Sequence, residues 1–454
     1  MRRRDVIKAL SFALSFRTFL PETAASLPGR GDRPLCLDYL DRVVGMFEKI
    51  RATEPDELLE ASARIAETHR RGGTCFCQWE TGHSFDGDMF PDRYGDPDIF
   101  VMGYTMGKPP VEPKAGDLII VNVLRKPLDD PRRKDIFVIG GQTPWCADTD
   151  RPELLTDTNR RLEIRKYSDI WINTYTTTHG ALMWLPGADA PLGPTSGALG
   201  MVTYWSMIAD AVRILARDGV TVGIKGDEPA LSDSAAYADV DSPLAGSYFD
   251  TAIRQIRFIE AELGTIERIA EKAVDCILSG GSLYVYSRHQ QALSAEARGK
   301  RGGLALIKTT HAEDTAFAGT ENDFMIMGIY SPDDEVDLRM LRSFKSKGMS
   351  VAAIGPSTCG LKTPEGATVP GEADFHLGLM CDTYGLFAVP GVERRICPTS
   401  GLLVNLMFWA VVIQIAGEIM ARTGNTPAVL STGALKGGGE QRRRSMAVVR
   451  ERGY

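Results

Sequence analysis

Two carboxylates, two pairs of hydroxyls and a histidine-bearing turn are the groups of this chain best suited to chemistry. Thr195-Ser196 and Thr399-Ser400 each sit inside a Pro-Thr-Ser-Gly box, Pro194 to Gly197 and Pro398 to Gly401, and the boxes stand 204 residues apart. Asp189 and Glu393, just upstream, keep the same 204-residue spacing. A Thr or Ser opening a long apolar stretch is what a helix N-cap looks like. The same helix start is also a positive dipole end that favours an anion. Each box therefore reads as a cap with one hydroxyl and a free group with the other. A carboxylate beside a bound sugar could move a proton between adjacent carbons, the general-base role in aldose–ketose interconversion, and a solvated loop acid is the plain alternative. The turn Glu80-Thr81-Gly82-His83-Ser84 follows an apolar strand and is rich in donors suited to a phosphate or to sugar hydroxyls, although an ordinary polar turn has the same composition. Its counterpart is Ser287-Arg288-His289-Gln290. His179, His311 and His376 complete the notable histidines, and none forms a pair with metal-ligand spacing, so neither a metal nor a cofactor is expected.

These groups are positioned by elements that also recur. Arg71-Gly72-Gly73 before the apolar run TCFCQW matches Ser279-Gly280-Gly281 before SLYVY, and Leu185-Pro186-Gly187 matches Val389-Pro390-Gly391. A unit of about two hundred residues is far longer than a solenoid period, so the repeat is a whole domain. Helical spacing over 39–49 and 56–70 is followed by strands at 75–79, 117–123, 136–139 and 170–172. In the second copy helices at 248–263 and 265–278 precede strands at 282–286, 324–330, 350–355 and 375–380, with a helix at 337–347. Alternating strands and helices imply α/β architecture, a parallel sheet covered on both faces in each copy. Two related domains imply a pseudo-symmetric pair with the site between copies, and the paired chain is compatible with further homo-oligomers.

Composition is that of a globular protein: 454 residues, 43% hydrophobic and 24% charged, with a net charge of −7. That acidic balance argues against nucleic-acid partners. The eight cysteines form no zinc pattern and read as small buried hydrophobes. The uncharged run from Gly401 to Gly417 reads as a buried helix, with no membrane span, because its counterpart contains Asp210 and Arg213. Arg3-Arg4-Asp5-Val6-Ile7-Lys8 before ALSFALSF resembles a twin-arginine export signal, which implies the periplasm; a basic first helix, with a cytoplasmic protein, is the alternative.

The combination of a helix, a glycine pair, a strand, a GHS-type loop and a PTS box opening an apolar helix resembles the SIS (sugar isomerase) superfamily. The matching residues are ETGHS at Glu80 to Ser84, GPTS at Gly193 to Ser196 and CPTS at Cys397 to Ser400. The resemblance implies two tandem flavodoxin-like SIS modules. The expected organisation is a leader at 1–36, modules at 37–224 and 248–436, a linker at 225–247 rich in Asp, Ser and Pro, and a flexible basic tail at 437–454. It also implies a phosphosugar or amino-sugar ligand and either isomerisation or non-catalytic sensing. Carried over residue by residue, Glu80, Thr81, Ser84, Arg288, His289, Thr195, Ser196, Thr399 and Ser400 would hold the ligand. Glu393 or Asp189 would act as base, and His83 as the ring-opening acid. A departure lies after the second strand, where such modules carry a Ser/Thr-rich phosphate loop. This chain has Leu124-Arg125-Lys126-Pro127 in one copy and Tyr330-Ser331-Pro332-Asp333-Asp334 in the other. The second would repel phosphate. An exported protein acting on unphosphorylated envelope sugars is a further reading.

Overall fold

A computed structural model describes residues 33–78, 95–102, 111–122, 135–225, 231, 236–288, 293, 296–297, 301–310, 317–358, 366–381 and 384–454. Two helices, α1 (Leu35–Thr53) and α2 (Pro55–Arg70), open the chain. The strands β1 (Cys75–Gln78), β2 (Phe100–Met102), β3 (Leu118–Val121), β4 (Phe137–Gly141) and β5 (Ile170–Ile172) then form a parallel sheet in the order β2-β1-β3-β4-β5. A hairpin of β6 (Ala181–Met183) and β7 (Leu192–Pro194) leads into the long helix α3 (Ser196–Arg217).

The second half repeats this plan. Helices α4 (Ala245–Phe258) and α5 (Leu263–Leu278) precede β8 (Leu283–Ser287), β9 (Lys308–Thr309) and β10 (Phe324–Gly328). Then come α6 (Glu335–Ser346), β11 (Ser350–Pro356) and β12 (Phe375–Leu379). The sheet order is β9-β8-β10-β11-β12, again all parallel and again the flavodoxin-like 2-1-3-4-5 arrangement. A hairpin of β13 (Phe387–Ala388) and β14 (Arg395–Ile396) leads into α7 (Ser400–Thr423). All four residues of β3 and all five of β10 are buried, as parallel strands covered on both faces require.

The two modules exchange their first helices. Helix α1 packs on α7 of the second module, α4 packs on α3 of the first, and α1 and α4 pack on each other. Phe47 and Phe249 meet edge to face there, with ring centroids 6.2 Å apart. Asp210 on α3 accepts the backbone N–H groups of Leu244 (2.7 Å) and Ala245 (3.2 Å), capping α4, and pairs with buried Arg213 at 2.7 Å. One continuous core therefore runs through both modules, with Trp205 and Trp409 fully inside it. Helices α3 and α7 are the two described helices long and apolar enough to cross a membrane, and both lie mostly buried in this core. Cys36, Cys75, Cys77, Cys146, Cys276 and Cys397 are buried thiols.

The segment between the modules is not loose throughout: Ile224–Lys225 pairs with Asp96–Pro97, and Ala238 donates to the Ala388 carbonyl at 2.8 Å. The basic tail, expected to be flexible, forms α8 (Gly438–Arg452). It is anchored by Gln441, whose amide donates to the Val429 carbonyl (2.7 Å) and accepts from the Ser431 N–H (2.9 Å). Arg452 adds a bond to the Thr426 carbonyl at 2.8 Å. Such side-chain to backbone bonds between distant segments leave no period in the sequence.

Candidate functional site

The two boxes are held by equivalent pairs of contacts. Tyr39 of α1 donates its hydroxyl to the Pro194 carbonyl at 2.7 Å, and Tyr248 of α4 donates to the Pro398 carbonyl at 3.0 Å. The residue before each box proline is left-handed, Gly193 at φ +85° and Cys397 at φ +58°. That conformation costs a non-glycine residue about 1–2 kcal/mol, so Cys397 is strained and Gly193 is not. Gly193 donates its N–H to the Gly302 carbonyl of the second module at 2.9 Å. Cys397 donates to the Gly95 carbonyl of the first module at 3.0 Å. The chain returning from the strand-one loop of each module thus lies against the box of the other. The result is two cross-built sites, related by the same exchange that swaps the helices.

Thr195 and Thr399 are the residues that precede α3 and α7, yet neither side chain caps its helix. Both hydroxyls are completely buried without a partner. Capping by one hydroxyl of each Thr-Ser pair was expected, and neither threonine supplies it: ψ is −16° at Thr195 and −7° at Thr399, away from the extended backbone of a capping residue. Ser196 and Ser400, the first helical residues, are buried as well.

Glu80, Thr81, His83 and Ser84, expected at the ligand, and His289 lie outside the described residues. At the other site a residue that sequence reasoning missed comes into view. Glu296, from helical backbone after β8, is buried, and its Oε2 accepts the indole N–H of Trp409 at 2.6 Å. Its Oε1 has no hydrogen-bonding partner and lies over Gly197, so close that a β-carbon there would stand 1.9 Å from it and 3.0 Å from Asn405 Nδ2. Only glycine fits. Burial pushes the Glu296 carboxyl up to about 7, opposed by Trp409, Asn405 and the Gly197 N–H, the last two of which lie near without good hydrogen-bond geometry. The signal that could have found it is a lone acid in Ala292-Leu293-Ser294-Ala295-Glu296-Ala297.

Arg288, at the end of β8, is bound within its own module. Its guanidinium pairs with Asp334 and stands 4.0 Å from Asp337. Asp334 in turn caps α6, accepting the Asp337 N–H at 2.9 Å. Asp337 is fully buried, takes the Tyr286 hydroxyl at 3.3 Å and leaves Oδ2 without a partner. Burial, with the charge of Asp334 as a lesser cause, raises its carboxyl to about 7.

Asp189 and Glu393 are exposed, on the β6–β7 and β13–β14 connections respectively. Asp189 pairs with Arg444 of α8 at 3.1 Å, both side chains more than half exposed. The structure sets Glu296 over Gly197, the residue after the Thr195-Ser196 pair, and leaves these two acids on the hairpin connections. Among the described residues no cluster of three His, Cys, Asp or Glu side chains could hold a metal. A cavity of about 400 Å³ lined by Arg64, Thr68, Asp117 and Phe137 opens at the amino ends of the first sheet, opposite the end where a doubly wound sheet binds ligands.

A candidate phosphosugar isomerase from Clostridium difficile 630 superposes over 88% of this chain and 95% of its own, at 12% identity and a TM-score of 0.50. The chain shares the fold of that protein, and its own two halves each hold a five-stranded parallel sheet of the same strand order. The C-terminal domain of glucosamine-fructose-6-phosphate aminotransferase from Francisella tularensis covers 89% of this chain and 99% of its own, at 10% identity and a TM-score of 0.45. In sequence, a UPF0309 protein of Streptomyces griseus is 23% identical over 245 residues, 47% of this chain and 97% of that protein. No family model matches the sequence.

Proposed function

We propose that the chain binds a sugar derivative, a phosphosugar or an amino sugar, where the strand-one loop of one module meets the Pro-Thr-Ser-Gly box of the other. The observation that carries this reading is the reciprocal pair of bonds, Gly193 N–H to the Gly302 carbonyl and Cys397 N–H to the Gly95 carbonyl, which sets each returning loop against a buried helix start. Helix starts favour anions and hydroxyl groups. The description of the Clostridium relative as a phosphosugar isomerase points the same way. In this reading Glu80, Thr81 and Ser84, with Thr399 and Ser400, hold the ligand on the second box. Arg288, His289, Thr195 and Ser196 form the pseudo-equivalent site. The catalytic form of the reading is aldose–ketose isomerisation, with Glu393 or Asp189 as base and His83 opening the ring.

A non-catalytic sugar sensor is the second reading, favoured by the exposure of both acids and by the Arg444 pairing of Asp189. A thermal-shift panel of phosphosugars, amino sugars and neutral sugars tests binding. A ligand at a hundred times its dissociation constant adds about 2.7 kcal/mol, roughly 3 °C for a chain of this length. No shift with any sugar would sink the reading. With a ligand in hand, Asp189→Asn with Glu393→Gln separates the two forms: an isomerase loses turnover and keeps the ligand, whereas a sensor changes in neither.

A further inference from the structure

The start of a helix that follows one strand of such a sheet, with a cation from the neighbouring strand beside it, is an anion seat: a positive dipole end and a guanidinium converge on one point. In the second module both components are present. Helix α6 starts at Glu335 directly after β10 and its turn, and Arg288 stands at the end of the neighbouring strand β8. Both act on one carboxylate of the protein itself. Asp334 offers Oδ1 to the N–H of Asp337 in the first turn of α6 and Oδ2 to the Arg288 guanidinium. Behind it Asp337, entirely buried, keeps an oxygen with no partner in the same cluster. An arriving phosphate would have to displace one carboxylate and approach a second.

We propose that Asp334 is the resident anion of the second module's seat and so determines its specificity: this half of the chain rejects phosphate and admits only sugar derivatives without one. The ligand class rests on the sugar-binding reading above, but the occupancy of the seat does not. Removing the Asp334 charge while keeping a capping side chain should free Arg288 and the helix start for an external anion. A charge-assisted set of hydrogen bonds of this kind corresponds to a gain of about ten- to a hundredfold in affinity.

The experiment is calorimetric titration of the full chain with inorganic phosphate at low salt, for wild type, Asp334→Asn, Asp334→Ser and Asp334→Ser combined with Arg288→Gln. Both Asn and Ser cap helices well, and Asn is nearly isosteric with Asp, so at least one variant reports on a folded protein, verified by its melting curve. The expected result is one more phosphate bound per chain in the single variants than in wild type, weakened by added salt and lost with Arg288→Gln. Unchanged phosphate binding in both folded single variants overturns the proposal, as does a gained site that survives Arg288→Gln. Glucose and glucosamine titrated in parallel keep the two ideas apart. If neither binds, the sugar reading fails in that arm while the phosphate arm still decides the role of Asp334.

Discussion

Replacing Gly197 by alanine is the sharpest test of the seam between the modules. The added methyl would stand 1.9 Å from Glu296 Oε1 and 3.0 Å from Asn405 Nδ2, whereas real carbon–oxygen contacts begin above 3 Å. Glu296 must therefore move by more than an ångström, and its 2.6 Å bond from Trp409 cannot survive unchanged. Losing a hydrogen bond to a buried charged group costs about 1.5–3 kcal/mol, and overpacking adds about 1–3 kcal/mol. Against this, alanine is about 1 kcal/mol better than glycine in a helix. The net expectation is a loss of roughly 2–5 kcal/mol. An unfolding entropy of about 2.1 cal/mol/K per residue makes each kcal/mol worth about 1 °C here, so the midpoint should fall by about 2–5 °C. In a Glu296→Ala background the overlap is gone and only the 3.0 Å approach to Asn405 Nδ2 is left, so Gly197→Ala should lose no more than about 1 °C and gain at most about 1 °C. Scanning calorimetry on the four proteins of this cycle reads the coupling directly. Equal destabilisation in both backgrounds would refute the placement of Glu296 over Gly197.

Other expectations follow from the same seam. Burial holds Glu296 and Asp337 near 7 in the folded state, above their ordinary values of 4.5 and 3.8, so the native protein binds these protons more tightly than the unfolded chain. Their stabilising contribution is complete below about pH 4 and is lost as pH rises through about 7. Melting curves from pH 5 to 8 should therefore show Glu296→Gln gaining on wild type as pH rises; a constant difference would contradict the burial of a titrating carboxyl. Tyr39→Phe and Tyr248→Phe each remove one donor from a box carbonyl and should cost about 1–2 kcal/mol apiece in denaturant midpoint. Because the two tyrosines play pseudo-equivalent parts, a large loss in one and none in the other would break the equivalence of the boxes.

The local elements were legible because their causes are local. The apolar runs at 118–121 and 324–328 announce buried strands, and the uncharged stretch after each box announces a long core helix, since period and burial are written in neighbouring residues. The parallel sheets follow from that alternation and from the resemblance carried by ETGHS, GPTS and CPTS, but the short edge strands β2 and β9, which complete the 2-1-3-4-5 order, were not among the expected strands. Even the acidic turn at Asp333-Asp334 was readable as hostile to phosphate. What the sequence could not contain is which segment faces which. Glu296 is one acid among small residues in the sequence and gains its surroundings only in the fold, where Trp409, 113 positions away, takes one oxygen and Gly197 of the other module lies under the second. Each Thr-Ser pair read as one cap and one free hydroxyl, and only the fold shows Thr195 and Thr399 buried without a capping bond. Side-chain chemistry is specified residue by residue, but burial, partner and charge state depend on the tertiary fold, and here that fold is an exchange of helices and loops between two modules.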